Sequence, residues 1–235
     1  VDEVVKALEA DIVDRKHAVI PFERVVSEYR PVAPARFVID TPDKENAMLF
    51  ARVDLPANLA DADMPALITA DWIIGGSDGL SNRIVNRLRQ KEGLSYGSGS
   101  SITIPSFGNR AKWSVGAIVA PHNLAQAEKS LKDELAKAFR DGITAEELAE
   151  AKKGLIESRA VNRAQDGLVA SNWVNNLERG CTWKFSKETE EAIEKLTVED
   201  VNKALRRFCD PTKLTFALAG DVKKARDAGK DFTKE

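Results

Sequence analysis

Residues 88–97 have the sequence LRQKEGLSYG, in which a helical pattern gives way to a strand across a single glycine. Apolar residues upstream recur at spacings of three and four, which predicts a helix from about residue 80 to residue 91. They are Leu80, Ile84, Val85 and Leu88. Gly93 provides the turn, and residues 95–105 have the composition of a strand. The sequence therefore predicts a helix–turn–strand unit near the middle of the chain.

The segments on both sides of this unit supply further strands. Residues 35–40 and 46–56 are short apolar runs with partial alternation, bounded by proline-containing turns. Residues 111–120 predict an antiparallel partner for residues 95–105, and residues 213–219 alternate as a closing strand.

Helices are predicted between these strands. An apolar helix over residues 64–74 is expected to stop at Gly75 and Gly76, and a periodic helix follows Pro121 as far as Gly142. Capping-box pairs open two later helices, with a further helix between them over residues 166–180. The pairs are Thr144 with Glu147 and Thr197 with Asp200. The predicted fold class is α+β, a mostly antiparallel sheet with helices packed on one face.

Three segments follow from this pattern. Residues 1–34 predict a helix and a proline-punctuated connector from a preceding domain, residues 35–222 the α+β domain, and residues 223–235 a charged tail that is expected to fray. The chain opens on Val1 with a charged helical segment that has no signal-peptide character, so we expect a processed chain or a piece of a longer one.

The composition excludes several classes of protein. The 235 residues are 43% hydrophobic and 31% charged, which is typical of a globular domain. Because 35 basic residues balance 37 acidic ones, there is no general attraction for nucleic acid or anionic lipid. The longest apolar run is far shorter than the roughly 20 residues that cross a bilayer. We expect neither a nucleic-acid partner nor a membrane partner.

Cysteine and histidine are too sparse for a metal site. Cys181 and Cys209 have no CxxC spacing, so two unpaired core thiols are the favoured interpretation and a disulfide remains open. His17 and His122 are the only histidines, and each is expected to be a surface or capping residue.

Residues 75–97 resemble the second-half signature of the M16 (insulinase/pitrilysin-like) zinc peptidases. In that signature an arginine at the end of a helix is followed, across a glycine turn, by a tyrosine on the next strand. The matching positions here are Arg89 and Tyr96. The resemblance extends over about residues 35–221 and is greatest to the last, non-zinc-binding domain of large bacterial members. The resemblance implies the α+β fold of that domain, and an extended peptide as the substrate.

The resemblance also implies a role for the Arg89 and Tyr96 pair. When a zinc-bound water attacks a peptide carbonyl, a phenolic hydroxyl and a guanidinium can stabilise the developing oxyanion. The family's zinc-binding motif, H-x-x-E-H, is missing from this sequence. Zn²⁺ is therefore expected in a partner domain or subunit, and this chain by itself is expected to be inactive. Gly93, Gly97 and Gly99 are candidate substrate-binding positions, where a peptide strand could approach closely.

Each of these interpretations has an alternative. Arg89 could simply complement the dipole at a helix end, Tyr96 could fill a half-buried strand position, and the glycines could be ordinary turn residues. A phosphate loop at Gly75, Gly76 and Gly79 is disfavoured because no GK[ST] follows. The rival function is an inactive scaffold module within a complex. The compartment is not determined; a periplasmic location is implied only by the resemblance.

Overall fold

The computed structural model describes residues 1–12, 23, 25–76 and 82–234. Within these ranges five strands form one sheet with the order β1-β5-β2-β4-β3. The strands are β1 Arg36–Asp40, β2 Ala47–Pro56, β3 Ser95–Thr103, β4 Arg110–Val119 and β5 Thr215–Gly220. Only the β1–β5 pair is parallel, which confirms the predicted, mostly antiparallel sheet.

The predicted helices appear in order, together with two that the sequence patterns did not predict, over residues 183–195 and 222–227. They are α1 Asp2–Ile12, α2 Met64–Asp71, α3 Arg83–Val85, α4 Leu124–Asp141, α5 Ala145–Arg163, α6 Asp166–Glu178, α7 Trp183–Lys195, α8 Val198–Phe208 and α9 Val222–Asp227. Two of them widen into π-helical turns, α2 at Trp72–Gly76 and α3 at Asn86–Lys91. Both predicted capping boxes are present, one at the start of α5 and one at the start of α8. Leu80, which was predicted to belong to the central helix, and Gly79 lie outside the described residues.

Alternation in the central strands separates the two faces of the sheet. Inward side chains of β2 and β4, such as Leu49 and Trp113, are completely buried. Helix α4 packs over both strands, and Leu67 of α2 and Leu131 of α4 belong to the same core. The opposite face, called here the open face, carries apolar side chains that are 40 to 56% exposed. They are Phe37, Ile39, Met48, Phe50 and Ile118. The described helices therefore cover one face only, as predicted.

The π-helical turn Trp72–Gly76 packs directly on the edge strand β3. A Cβ atom on Gly75 would lie 2.6 Å from the backbone nitrogen of Ser100, and one on Gly99 would lie 2.8 Å from the carbonyl oxygen of Gly75. Real Cβ atoms do not approach so closely, so both positions need glycine for steric reasons. Gly75 lies within the π-helical turn, and its lack of a side chain allows the backbone of the turn to contact the backbone of β3.

The prediction of a frayed tail is wrong. Residues 222–227 form α9, and Phe232 is completely buried. The carbonyl oxygen of Phe232 also accepts a hydrogen bond from the guanidinium of Arg36 at 2.7 Å. Burial of Phe232, together with Val222 and Ala225 of α9, therefore holds this charged segment against the domain.

The cysteines are both free thiols, as the favoured interpretation held. Cys209 is buried at the end of α8, whereas Cys181 is only half-buried and is not a core residue.

The packing of the π turn on β3 gives a first prediction. Gly99→Ala should lower the free energy of unfolding by about 1–3 kcal/mol, because the added methyl group must displace backbone rather than a flexible side chain. Urea denaturation measures the change.

Gly97→Ala is the matched control two residues away. A Cβ atom there meets nothing within 4 Å, so the stability should change by no more than about 0.5 kcal/mol. Equal effects at the two positions would contradict the close contact.

Candidate functional site

The first part of the site is the end of the π-helical turn that carries Arg89. Gly93 adopts φ +62°, a conformation that favours glycine, and its amide donates to the carbonyl oxygen of Arg89 at 3.2 Å. The amide of Leu94 donates to the carbonyl oxygen of Leu88 at 2.7 Å. These bonds close the helix and turn the chain directly into β3.

Tyr96 is the extra residue of a β-bulge. Ser95 pairs with Val119 and Gly97 pairs with Ile118, so consecutive residues of β4 face residues of β3 that are two apart. The Ser95 hydroxyl lies 2.8 Å from the carbonyl oxygen of Ile118 and holds the bulge. Bulges re-aim side chains and occur frequently beside active sites. The Tyr96 side chain is 93% exposed, so it does not fill a half-buried strand position.

Neither functional candidate is used to hold the fold together. Arg89 is exposed, and its side chain has no hydrogen bond or ion pair with any described residue; the same is true of Tyr96. The two lie on either side of the Gly93 turn, at one end of the helix–turn–strand unit. This arrangement leaves a guanidinium and a phenol available to a ligand.

The helix that carries Arg89 is anchored to its neighbours through the carboxylates of Glu147 and Glu92. Arg83 donates to Glu147 at 2.7 and 2.6 Å, which ties α3 to the capping box of α5. Near the other end, Glu92 accepts a 2.7 Å hydrogen bond from Ser130 of α4 and pairs with Arg87. Burial would raise the pKa of Glu92, but the hydrogen bonds from Ser130, Gln126 and Arg87 outweigh it and hold the pKa below its ordinary value. Arg83 and Arg87 are therefore structural, in contrast to Arg89.

Asp71 anchors the strand side of the site, and sequence reasoning missed it. Its carboxylate accepts hydrogen bonds from the Ser100 hydroxyl at 2.6 Å and from the Trp113 indole at 3.0 Å, and also binds the Ile102 amide. Burial raises the pKa of Asp71 to about 6, against the opposing effect of these hydrogen bonds. An aspartate inside the apolar segment of residues 64–74 was the signal that could have revealed it.

The candidate glycines differ in their surroundings. Cβ atoms on Gly93 and Gly97 would meet nothing within 4 Å, while Gly99 is closed off by Gly75. Beside Gly97 and Gly99 a shallow cavity of about 310 Å³ opens on the open face, bordered by Met48 and Phe50. The structure leaves this strip of small residues next to Tyr96 accessible, and a role in substrate binding stays a prediction.

A charged triad at the other end of the open face was also missed. Asp54 of β2 accepts hydrogen bonds from Arg52 at 2.9 Å and from Arg110 of β4 at 2.6 Å. Burial alone would raise the pKa of Asp54, but the two guanidiniums hold it below its ordinary value. The alternate spacing of Arg52 and Asp54 in an otherwise apolar strand is the sequence signal, because it places both charges on one face.

The described residues do not supply a metal site. Among them no group of three or more histidine, cysteine, aspartate or glutamate side chains could hold a metal ion. His122 is exposed, and His17 lies outside the described ranges. The donor set therefore does not fit a catalytic zinc, which needs three protein ligands. Of the helices described, none has the length and apolar character needed to cross a membrane.

Within the described part of the chain, a mostly antiparallel sheet is covered by helices on one face, and Arg89 and Tyr96 are exposed around the turn that leads into β3. The sequence model of the family described as Peptidase M16 inactive domain matches residues 1–155. The chain therefore belongs to this M16 family, as the sequence resemblance indicated. Comparison with curated protein sequences found no match.

Solved structures share the fold at low identity. The peptidase M16 inactive domain from Pseudomonas fluorescens is 22% identical with a TM-score of 0.75, covering 85% of this chain and 47% of that one. A protease from Helicobacter pylori is 17% identical with a TM-score of 0.76, covering 93% and 52%. The periplasmic protease PqqL from Escherichia coli is 16% identical with a TM-score of 0.67, covering 93% and 24%. The chain thus spans about half the length of the first two proteins and 24% of the third. Identities this low show the fold alone.

The buried carboxylate gives a prediction for stability against pH. Because the pKa of Asp71 is raised in the folded state, the folded protein binds this proton more tightly than the unfolded chain, and the group stabilises less as the pH rises from about 4 to about 6. The stability of Asp71→Asn relative to wild type should therefore increase by on the order of 3 kcal/mol between about pH 4 and pH 7. Urea denaturation across this range measures the difference.

Asp54→Asn is the control of opposite sign. Since the pKa of Asp54 is lowered in the folded state, the deficit of this variant should be complete at pH 7 and shrink only below about pH 4. If the relative stability of Asp71→Asn did not change with pH, the burial of a charged carboxylate at this position would be contradicted.

Proposed function

We propose that this domain is the non-metal half of an M16 zinc metallopeptidase. It encloses an extended peptide together with a zinc-bearing M16 partner domain or subunit, and it contributes Arg89 and Tyr96 to the stabilisation of the tetrahedral intermediate. The observation that carries the proposal is the β-bulge, because it leaves Tyr96 exposed at the start of β3, directly after the turn that follows the exposed Arg89.

The chemistry of the pair suits this task. Attack on a peptide carbonyl places negative charge on its oxygen, and donors that are already oriented stabilise that charge without reorganisation. The Tyr96 hydroxyl provides one neutral donor. The guanidinium of Arg89 provides several donors and a permanent positive charge, which lets it hold substrate carbonyls or assist the same oxyanion.

The zinc belongs to the partner in this proposal. When bound there, it activates the attacking water and polarises the carbonyl. Support comes from the family membership together with the lack of a fitting donor set among the described residues. The isolated chain is accordingly proposed to have no activity of its own.

Peptide binding would use the strip beside Tyr96. An extended peptide can form backbone hydrogen bonds with the accessible edge of β3 near Gly97, and bonds of this kind give affinity with little dependence on sequence. A periplasmic location is part of the proposal only through the likeness to a periplasmic protease. Fractionation of cells that express this protein tests the location.

Kinetics with the zinc-bearing partner test the proposal. Tyr96→Phe should lower kcat on an unstructured peptide by about 10²–10³-fold, with little change in KM, because the lost donor acts mainly in the transition state. Arg89→Ala should lower kcat/KM and raise KM as well, since the guanidinium also holds the substrate.

Lys91→Ala is the matched control, because Lys91 is an exposed cation on the same helical turn as Arg89. It should leave kcat and KM within about twofold, as exposed charges contribute little. Unchanged turnover in both Tyr96→Phe and Arg89→Ala would favour the rival function, an inactive scaffold module.

A further inference from the structure

The charged triad lines a cavity that the proposed function does not use. The cavity has a volume of about 570 Å³ and lies at the end of the open face away from Tyr96. Its lining includes Tyr29, Val32, Phe50, Arg52, Arg110 and Lys213. The connector before β1 forms one wall, and strands β2, β4 and β5 form the floor.

Positive charge predominates in this cavity. Of the described residues that line the cavity, Asp54 has the one carboxylate that faces Arg52, Arg110 and Lys213. Lys213 also lies 3.8 Å from Asp210 outside the cavity. Asp54 is 10% exposed and already bonded to both arginines, so it cannot move to neutralise Lys213.

The two arginines retain unused donors. Arg52 uses Nε and one terminal nitrogen on Asp54, and so does Arg110. The remaining terminal nitrogen of each has no partner among the described residues, and the side chains are 38 and 40% exposed. A guanidinium that is fixed on one side and open on the other is oriented for a second planar anion, such as a carboxylate.

We infer that this cavity binds a carboxylate of an extended peptide, contributed by an acidic side chain or by the C-terminus. A peptide is favoured over a small anion because apolar side chains of Val32, Pro31 and Phe50 border the same charges. The inference rests on the proposed function and extends it, since the peptide proposed to bind at the edge of β3 would continue across the open face.

The strand register gives the distance from the reaction centre. Tyr96 precedes Gly97, which pairs with Ile118 of β4, and Arg110 lies eight residues earlier on that strand. Eight strand residues span about 27 Å, and a bound extended peptide rises by the same amount per residue. The recognised carboxylate therefore lies roughly seven to eight residues from the scissile bond.

Direct binding to the full chain tests the inference without catalysis. Isothermal titration calorimetry would compare three neutral-background peptides of ten residues. One has a single Glu and an amidated C-terminus, the second has Gln in place of that Glu, and the third has the Gln and a free C-terminus. The Glu peptide or the free-terminus peptide should bind roughly tenfold more tightly than the neutral one, which identifies the source of the carboxylate. Added salt should weaken that preference.

Substitutions of both signs make the test specific. Arg110→Gln should abolish most of the preference, and Asp54→Asn should increase it, because it releases two guanidiniums from their internal anion. Lys213→Gln, on a side chain that is 64% exposed, should reduce the preference without affecting folding. Arg140→Gln on α4, a charge-matched control with a 71% exposed side chain, should leave it unchanged.

The inference is overturned if the three peptides bind equally or if Arg110→Gln and Arg140→Gln behave alike. This outcome is separate from the proposed function, since Tyr96→Phe should not alter the calorimetric result. Loss of turnover in Tyr96→Phe together with equal peptide binding would leave the proposed function standing and remove only the carboxylate site.

Discussion

The backbone contact between the π-helical turn Trp72–Gly76 and strand β3 is the constraint on which the site depends. Gly75 and Gly99 bring two backbones together at a distance that leaves no room for a Cβ atom. Asp71 then satisfies the donors of Ser100 and Trp113 at the same junction. Because buried donors without partners are costly, the Asp71 carboxylate stabilises the junction that the two glycines make sterically possible. Their joint effect is to fix the edge strand on which Tyr96 stands.

The residues proposed to act on substrate are held by neighbours, and do not hold the fold themselves. Arg83 and Glu92 fasten the helix through α5 and α4, so Arg89 stays free at its end. The bulge at Ser95 does the same for Tyr96, since the serine takes the structural bond and the tyrosine faces outward. Anchored backbones with unengaged side chains are what preorganised stabilisation of charge requires.

The open face combines two kinds of surface. Small residues beside Tyr96 leave the sheet accessible, while Arg52 and Arg110 concentrate charge at its far end. Apolar side chains between the ends, including Phe50 and Ile118, are about 40% exposed. A surface of this composition suits a long, extended ligand better than a compact one, because recognition elements are spread along the strand direction.

Sequence patterns determined the fold class and most of the secondary structure, although α7 and α9 were not predicted. Alternation in β2 and β4 decided which side chains are buried, and the Thr144–Glu147 and Thr197–Asp200 boxes placed the starts of α5 and α8 within a residue. These features depend on neighbours at most four residues away, so the order of residues is sufficient to predict them. The Arg89 and Tyr96 pair was found differently, through the resemblance of residues 75–97 to the M16 signature.

Only the tertiary structure decided which distant residues meet. Asp71 finds Ser100 and Trp113 at separations of 29 and 42 residues, and Arg110 reaches Asp54 across 56. The outward aim of Tyr96 depends on a slip in the pairing of two strands, which the alternation of β3 does not encode. Residues 222–234 pack against the domain, where the side chain of Phe232 is buried in the core. Such outcomes depend on the packing of the whole chain. A buried charge is tolerated only where the fold places a hydrogen-bonding partner next to it, and an aromatic ring is buried only where the fold leaves room for it.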